Sequence, residues 1–284
     1  MKRGRSSLVL IALLALSLIP LSAASSQDEP ECLPDAGTVI EQRIDSASLG
    51  RAKSYRVYLL PNWCELENLP LLIMLHGLGG NHADWTNLGK LHVAADALIA
   101  AGEIEPLIIL MPDADISWYI STPVSDFETY IVEELPDVVS TEFPVATEPE
   151  RRFIGGLSMG GYGALYLGLK YPDRFSAIGA HSPALFERGA EGAPIGVYGA
   201  DWSHYEERAP QAIILREGWP EDMRLFVDIG SEDELMPGVY DLFGALLGQT
   251  NPIAEFQGHV WPGGHQWRYW STHAADYLRF YAGN

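Results

Sequence analysis

The chain has 284 residues, 47% hydrophobic and 20% charged, which excludes a disordered chain and is enough to bury one large core. Asp and Glu outnumber Lys and Arg by 38 to 18. The resulting net charge of −20 works against nucleic acid and anionic membrane surfaces as partners, because both are held by clustered cations.

In chain order, residues 1–24 read as a cleavable export signal. Lys2, Arg3 and Arg5 give a positive start, Leu8 to Leu18 an apolar run, and Ser22, Ala23 and Ala24 the small residues that signal peptidase needs. The run is short for a membrane span and Pro20 interrupts it, so the expectation is a secreted protein with no stable membrane partner. Residues 25–36 are polar and Pro-containing and read as a tail; residues 37–284 read as one domain. Cys32 and Cys64 fall in a protein whose export would let disulfides persist. A bridge would tie the tail to the end of an early strand, and the sequence leaves that pairing open.

Two strand-like stretches lie between Arg43 and Leu60, on either side of Leu49-Gly50. Continuous apolar runs at 71–75 and 107–111 fit buried parallel strands. Phe127, Ile131, Leu135 and Val138 recur at helical spacing. Residues 153–157 read as a strand and 159–170 as a helix. Further strands are expected at 175–180, 225–229 and 254–260, and helices at 238–247 and 273–281. Strands alternating with helices imply an α/β fold, a mostly parallel sheet with helices on both faces. No HExxH, EF-hand or P-loop pattern appears, so the sequence implies no metal and no cofactor.

One motif carries chemistry. Gly156-Leu157-Ser158-Met159-Gly160 is a G-x-S-x-G between an apolar strand and a helix rich in small residues. That context is the one a nucleophile elbow needs: a tight turn, glycines that let strand and helix close on each other, and a serine presented at the sheet edge. A serine hydroxyl needs a base and an orienting acid, in the chain order serine, acid, histidine. His265 sits in the Gly-rich stretch Pro262–Gly264 between the last strand and the last helix, and is the expected base. His259 lies inside a strand and His273 in a helix. Asp233, in the loop after the 225–229 strand, is the expected acid, with Glu232 and Glu234 as neighbours able to substitute; Asp228 reads as structural. The oxyanion needs two aimed N–H donors, expected from the backbones of Met159 and Leu78, the latter in the His76–Gly80 loop. Trp118, Tyr119, His181 and Trp267 are candidates to line the substrate pocket, since aromatic faces stack on sugar rings or aromatic acyl groups.

With these residues in view the chain resembles the putative-esterase family of α/β-hydrolases, which includes feruloyl esterases, S-formylglutathione hydrolases and mycolyltransferases. The matching stretches are SLGR at 48–51, LHGLGG at 75–80, MPDAD at 111–115, FETYIVEELP at 127–136, GGLSMGGYGAL at 155–165, DIGSEDEL at 228–235 and GGHQWRYW at 263–270. The resemblance implies an α/β-hydrolase fold and a serine esterase acting on small-molecule or polysaccharide-linked carboxylic esters. It implies Ser158, Asp233 and His265 as the triad, with Leu78 and Met159 as oxyanion donors. An extracellular acyltransferase using the same triad with an alcohol acceptor stays open as the alternative.

Overall fold

A computed structural model describes residue 30, residues 32–249 and residues 253–283. The expected export signal lies outside the described residues. Eight strands form one sheet: β1 (Thr38–Ser46), β2 (Arg51–Leu59), β3 (Leu71–Leu75), β4 (Ile108–Pro112), β5 (Arg152–Leu157), β6 (Ala177–His181), β7 (Arg224–Gly230) and β8 (Phe256–Trp261). Their spatial order is β1-β2-β4-β3-β5-β6-β7-β8. β1 and β2 form a hairpin and β2 runs antiparallel to β4; every pairing from β4 through β8 is parallel. The fold is that of the α/β-hydrolases.

Burial follows position in the sheet. Every residue of β3, β4, β5 and β6 is buried, as continuous apolar runs in a sheet covered on both faces must be. The edge strand β8 instead alternates exposed and half-buried residues. The helix Met159–Lys170 packs on β3, β5 and β6, and its Gly168 rests against Ile178. The helix Ala274–Ala282 packs with the helix Leu91–Ala100. Successive strand side chains point to opposite faces, so Gly155 and Gly179 present the other face, where Tyr281 of the Ala274–Ala282 helix fills the space a β-carbon would need.

The helix expected around 127–139 is interrupted. It runs as Phe127–Thr129, a wider π turn at Tyr130–Glu134, then Leu135–Glu142. Pro136 has no N–H to give Val132 and its ring crowds that carbonyl, which the widened turn relieves. At the N-terminal end a disulfide joins Cys32 to Cys64. The Asn62 amide also donates to the Leu33 carbonyl at 2.9 Å, so residues 32–33 of the expected tail are bound to the turn after β2. Among the described residues no helix is long and apolar enough to cross a membrane.

The chain leaves β3 toward β4 on one side and returns to β5 on the other. Strand order reverses between β3 and β5, and the loops after them diverge at their carboxyl ends. A crevice opens at such a switch point, and this is where the site lies.

Candidate active site

Ser158 occupies the turn between β5 and the Met159–Lys170 helix, with φ 56° and ψ −116°, a conformation that costs a non-glycine residue energy. The surroundings impose it. The Ser158 amide donates to the His181 carbonyl at 2.9 Å, and the Ser158 carbonyl accepts from the amides of Tyr162 and Ala184, each at 3.0 Å. The flanking glycines are sterically required. A β-carbon on Gly156 would sit 2.6 Å from the Gly160 backbone, and one on Gly160 would press into the carbonyls of Leu75 and His76. The helix N-terminus behind the serine adds partial positive charge there.

His265 Nε2 lies 2.8 Å from Ser158 Oγ, and His265 Nδ1 lies 2.8 Å from Asp233 Oδ2. Asp233 also accepts the Leu235 amide at 3.0 Å through Oδ1. Burial alone would raise the Asp233 pKa. The hydrogen bonds from His265 and Leu235, the charge of His265 and the Ser182 hydroxyl outweigh burial and hold the carboxyl below its ordinary range. An ionised carboxylate only accepts, so His265 Nδ1–H donates to it, and in the neutral ring Nε2 faces the serine as an acceptor. The loops that carry acid and base are joined by backbone bonds: the Ser231 amide donates to the Trp261 carbonyl and the Glu232 amide to the Gly263 carbonyl, both at 2.8 Å.

The loop after β3 is fixed through its carbonyls. Leu75 O accepts the Trp85 indole N–H at 2.9 Å, and His76 O accepts the Tyr119 hydroxyl at 2.8 Å. His76 Nε2 accepts the Ala114 amide at 3.0 Å, so its Nδ1–H donates to the Gly77 carbonyl at 2.8 Å. Burial lowers the His76 pKa and keeps the ring neutral, as that pattern requires. Among the described residues the amides of Leu78 and Met159 meet no acceptor, and Met159 opens a helix, whose first amides have no intrahelical partner.

Gly77–Gly80, Asp84, Leu157, Ser158, His265, Trp267 and Trp270 line an open cleft of about 400 Å³. Trp270 meets His265 edge-on, centroids 4.9 Å apart. Of the four candidate pocket residues only Trp267 lines this cleft. Tyr119 is fully buried with its hydroxyl committed to His76, so it serves the loop and not a substrate. His181 is also fully buried and paired with Asp228. Trp118 is half-buried, edge-on to Tyr162 and Phe186, and is not part of the cleft lining. A residue at a strand end can face cleft or core, and spacing does not distinguish the two. The Leu235 amide and the lining by Asp84 and Leu157 escaped the sequence reading because they depend on loop conformation.

A family model described as Putative esterase matches residues 46–281. The chain belongs to that family. An acetyl esterase of Caldicellulosiruptor saccharolyticus is 27% identical over 228 residues, which are 74% of this chain and 82% of that protein. An S-formylglutathione hydrolase of Bos taurus is 27% identical over 265 residues, covering 84% and 91% respectively. Among solved structures, a ferulic acid esterase superposes with a TM-score of 0.74 at 26% identity, covering 87% of this chain and 98% of that one. The esterase is thus a carboxylic-ester hydrolase whose cleft at the sheet's switch point holds a serine and a histidine, the histidine backed by a buried aspartate in hydrogen-bonded sequence.

Proposed function

We propose that this esterase hydrolyses short-chain or feruloyl- and acetyl-type esters by two-step acyl transfer, as a secreted enzyme. The observation that supports it is the relay from Asp233 through His265 to Ser158, with both contacts at 2.8 Å. Ser158 Oγ attacks the ester carbonyl while His265 Nε2 takes its proton. Asp233 holds the imidazole in the required tautomer and stabilises the imidazolium. The Leu78 and Met159 amides donate to the tetrahedral oxyanion. Collapse breaks the bond to the alcohol oxygen, which leaves with the proton from His265. Water, deprotonated by the same His265, then releases the acid and regenerates Ser158. Trp267 and Trp270 line the cleft beside the serine, which suits a small or aromatic acyl group. Secretion is supported by the pattern of residues 1–24 and by the Cys32–Cys64 disulfide, which persists outside reducing compartments.

The test is hydrolysis of p-nitrophenyl acetate, butyrate and octanoate and of methyl ferulate, beside Ser158→Ala. We expect kcat to fall by at least about 10⁴-fold in the variant with its Tm retained. Near-normal turnover by Ser158→Ala would overturn the assignment, and the ranking of the four esters sets the acyl preference.

A further inference from the structure

We propose that Tyr269 is a positioning residue for the His265 base, anchored on a second, sealed His–Asp pair beneath the cleft. This rests on the triad reading above. The sealed pair is His181 at the end of β6 and Asp228 in β7, both fully buried, with Nδ1 and Oδ1 2.7 Å apart. Two tyrosines donate to the other oxygen, Asp228 Oδ2: Tyr269 at 2.8 Å and Tyr277 at 3.0 Å. The Tyr277 ring stacks on the His181 imidazole with centroids 3.6 Å apart, and the Tyr281 hydroxyl lies 3.4 Å from His181 Nε2.

Tyr269 alone of the two donors touches the loop that carries the base. Its ring occupies the space beside Gly263, where a β-carbon would sit 2.8 Å from the ring. Its amide donates to the Gln266 carbonyl at 2.9 Å. These contacts fall on either side of His265. Gly263 and Gly264, immediately before His265, have no side chains with which to hold themselves, and Gly263 has φ 141°. The Glu232 amide holds the Gly263 carbonyl from one side and the Tyr269 ring supports the loop from the other, and the bond to Asp228 sets where that ring rests. Tyr277, in the Ala274–Ala282 helix, donates to the same oxygen but packs on His181 and Trp85.

The two tyrosines form a matched pair of experiments. Tyr269→Phe and Tyr277→Phe each delete one hydroxyl from one buried oxygen and keep the ring. We would measure Tm, p-nitrophenyl acetate hydrolysis, and the rate at which a fluorophosphonate phosphonylates the enzyme, beside Ser158→Ala. The phosphonylation reports the Ser158–His265 geometry without an ester. The expected result is a similar fall in Tm for both tyrosine variants. Tyr269→Phe loses about tenfold in kcat and in phosphonylation rate, with KM within about twofold, because a less ordered base spends less time in reactive geometry. Tyr277→Phe keeps both rates within about twofold. Equal rates in the two variants, or a Tyr269→Phe effect confined to Tm or KM, would overturn the proposal. Turnover retained by Ser158→Ala would instead sink the triad reading, whatever the tyrosines do.

Discussion

Among the described residues, two His–Asp pairs joined through Nδ1 have nearly the same separation and opposite circumstance. His265 Nδ1 meets Asp233 at 2.8 Å and His181 Nδ1 meets Asp228 at 2.7 Å. The His265 side chain is 26% exposed, on the cleft wall, and its second nitrogen faces a serine hydroxyl. The His181 side chain is 0% exposed, and its second nitrogen faces the Tyr281 hydroxyl in the core. On the proposed function the first pair is catalytic and the second structural, and what distinguishes them is the group at the second nitrogen and a path for substrate. The pairing distance carries no such information.

The largest effect that tests this contrast is chemical. Asp233→Asn should lower kcat by about 10⁴-fold, because an amide no longer fixes the proton on His265 Nδ1. Asp228→Asn should act mainly on stability. It places an N–H₂ group among donors in a sealed site, and breaking a buried pair of this kind costs about 3–5 kcal/mol. Its kcat, carried through Tyr269, should fall by about tenfold, far less than for Asp233→Asn. Urea unfolding and steady-state kinetics on both variants check the split. An Asp228→Asn enzyme with wild-type stability and a 10⁴-fold loss of kcat would erase the distinction between the pairs.

The next effect is read with pH. The folded-state pKa of Asp233 lies below its ordinary value, so its ionised form is favoured by folding. The stability this contributes is fully present above the unfolded carboxyl pKa of about 3.9 and is lost as pH falls through the lower, folded value. Tm scans from pH 6 to pH 3 should show wild type above Asp233→Asn at pH 6, with the gap closing only below about pH 4. A gap that closes at higher pH, or a variant more stable throughout, would contradict the arrangement of donors around Asp233.

Much of the open site was legible in the sequence, and almost none of the sealed one. β3 and the Met159–Lys170 helix fall at the expected residues because a continuous apolar run and a G-x-S-x-G turn are local patterns. Ser158, Asp233 and His265 could be named because each sits in a distinctive Gly- or acid-rich loop. The sealed pair has no local pattern: Asp228 meets its tyrosine partners 41 and 49 residues further along the chain, and only packing brings them together. Several helices were also missed, among them Leu91–Ala100, Pro210–Glu217 and two short ones. Ile195–Tyr198 and Tyr205–Arg208 are four residues each, too short to show a helical period. In Leu91–Ala100 the buried positions Leu91, Ala95 and Leu98 do recur at helical spacing, but exposed Val93 blurs the stripe. The Thr38–Ser46 strand begins earlier than the Arg43 expected from the sequence. From Ile40 to Asp45 half-buried and exposed positions alternate, as on a strand at the sheet's edge, which gives a weaker signal than an apolar run.

The smallest expected effect concerns the backbone around the two pairs. Beside the sealed pair the amides are engaged: Ser158 N–H donates to His181 O, and Ser182 N–H to Asp228 O at 2.7 Å. Beside the open pair the Leu78 and Met159 amides meet no acceptor among the described residues, and Leu78 lines the cleft. If Leu78 acts through its N–H, its side chain, 59% exposed, is dispensable. Leu78→Ala keeps the amide and removes little buried apolar area, so kcat/KM on p-nitrophenyl acetate should stay within about threefold of wild type. A hundredfold loss would place the contribution in the leucine side chain. The oxyanion would then need a donor other than the one the loop after β3 offers, and the contrast between engaged and free amides would no longer separate the two pairs.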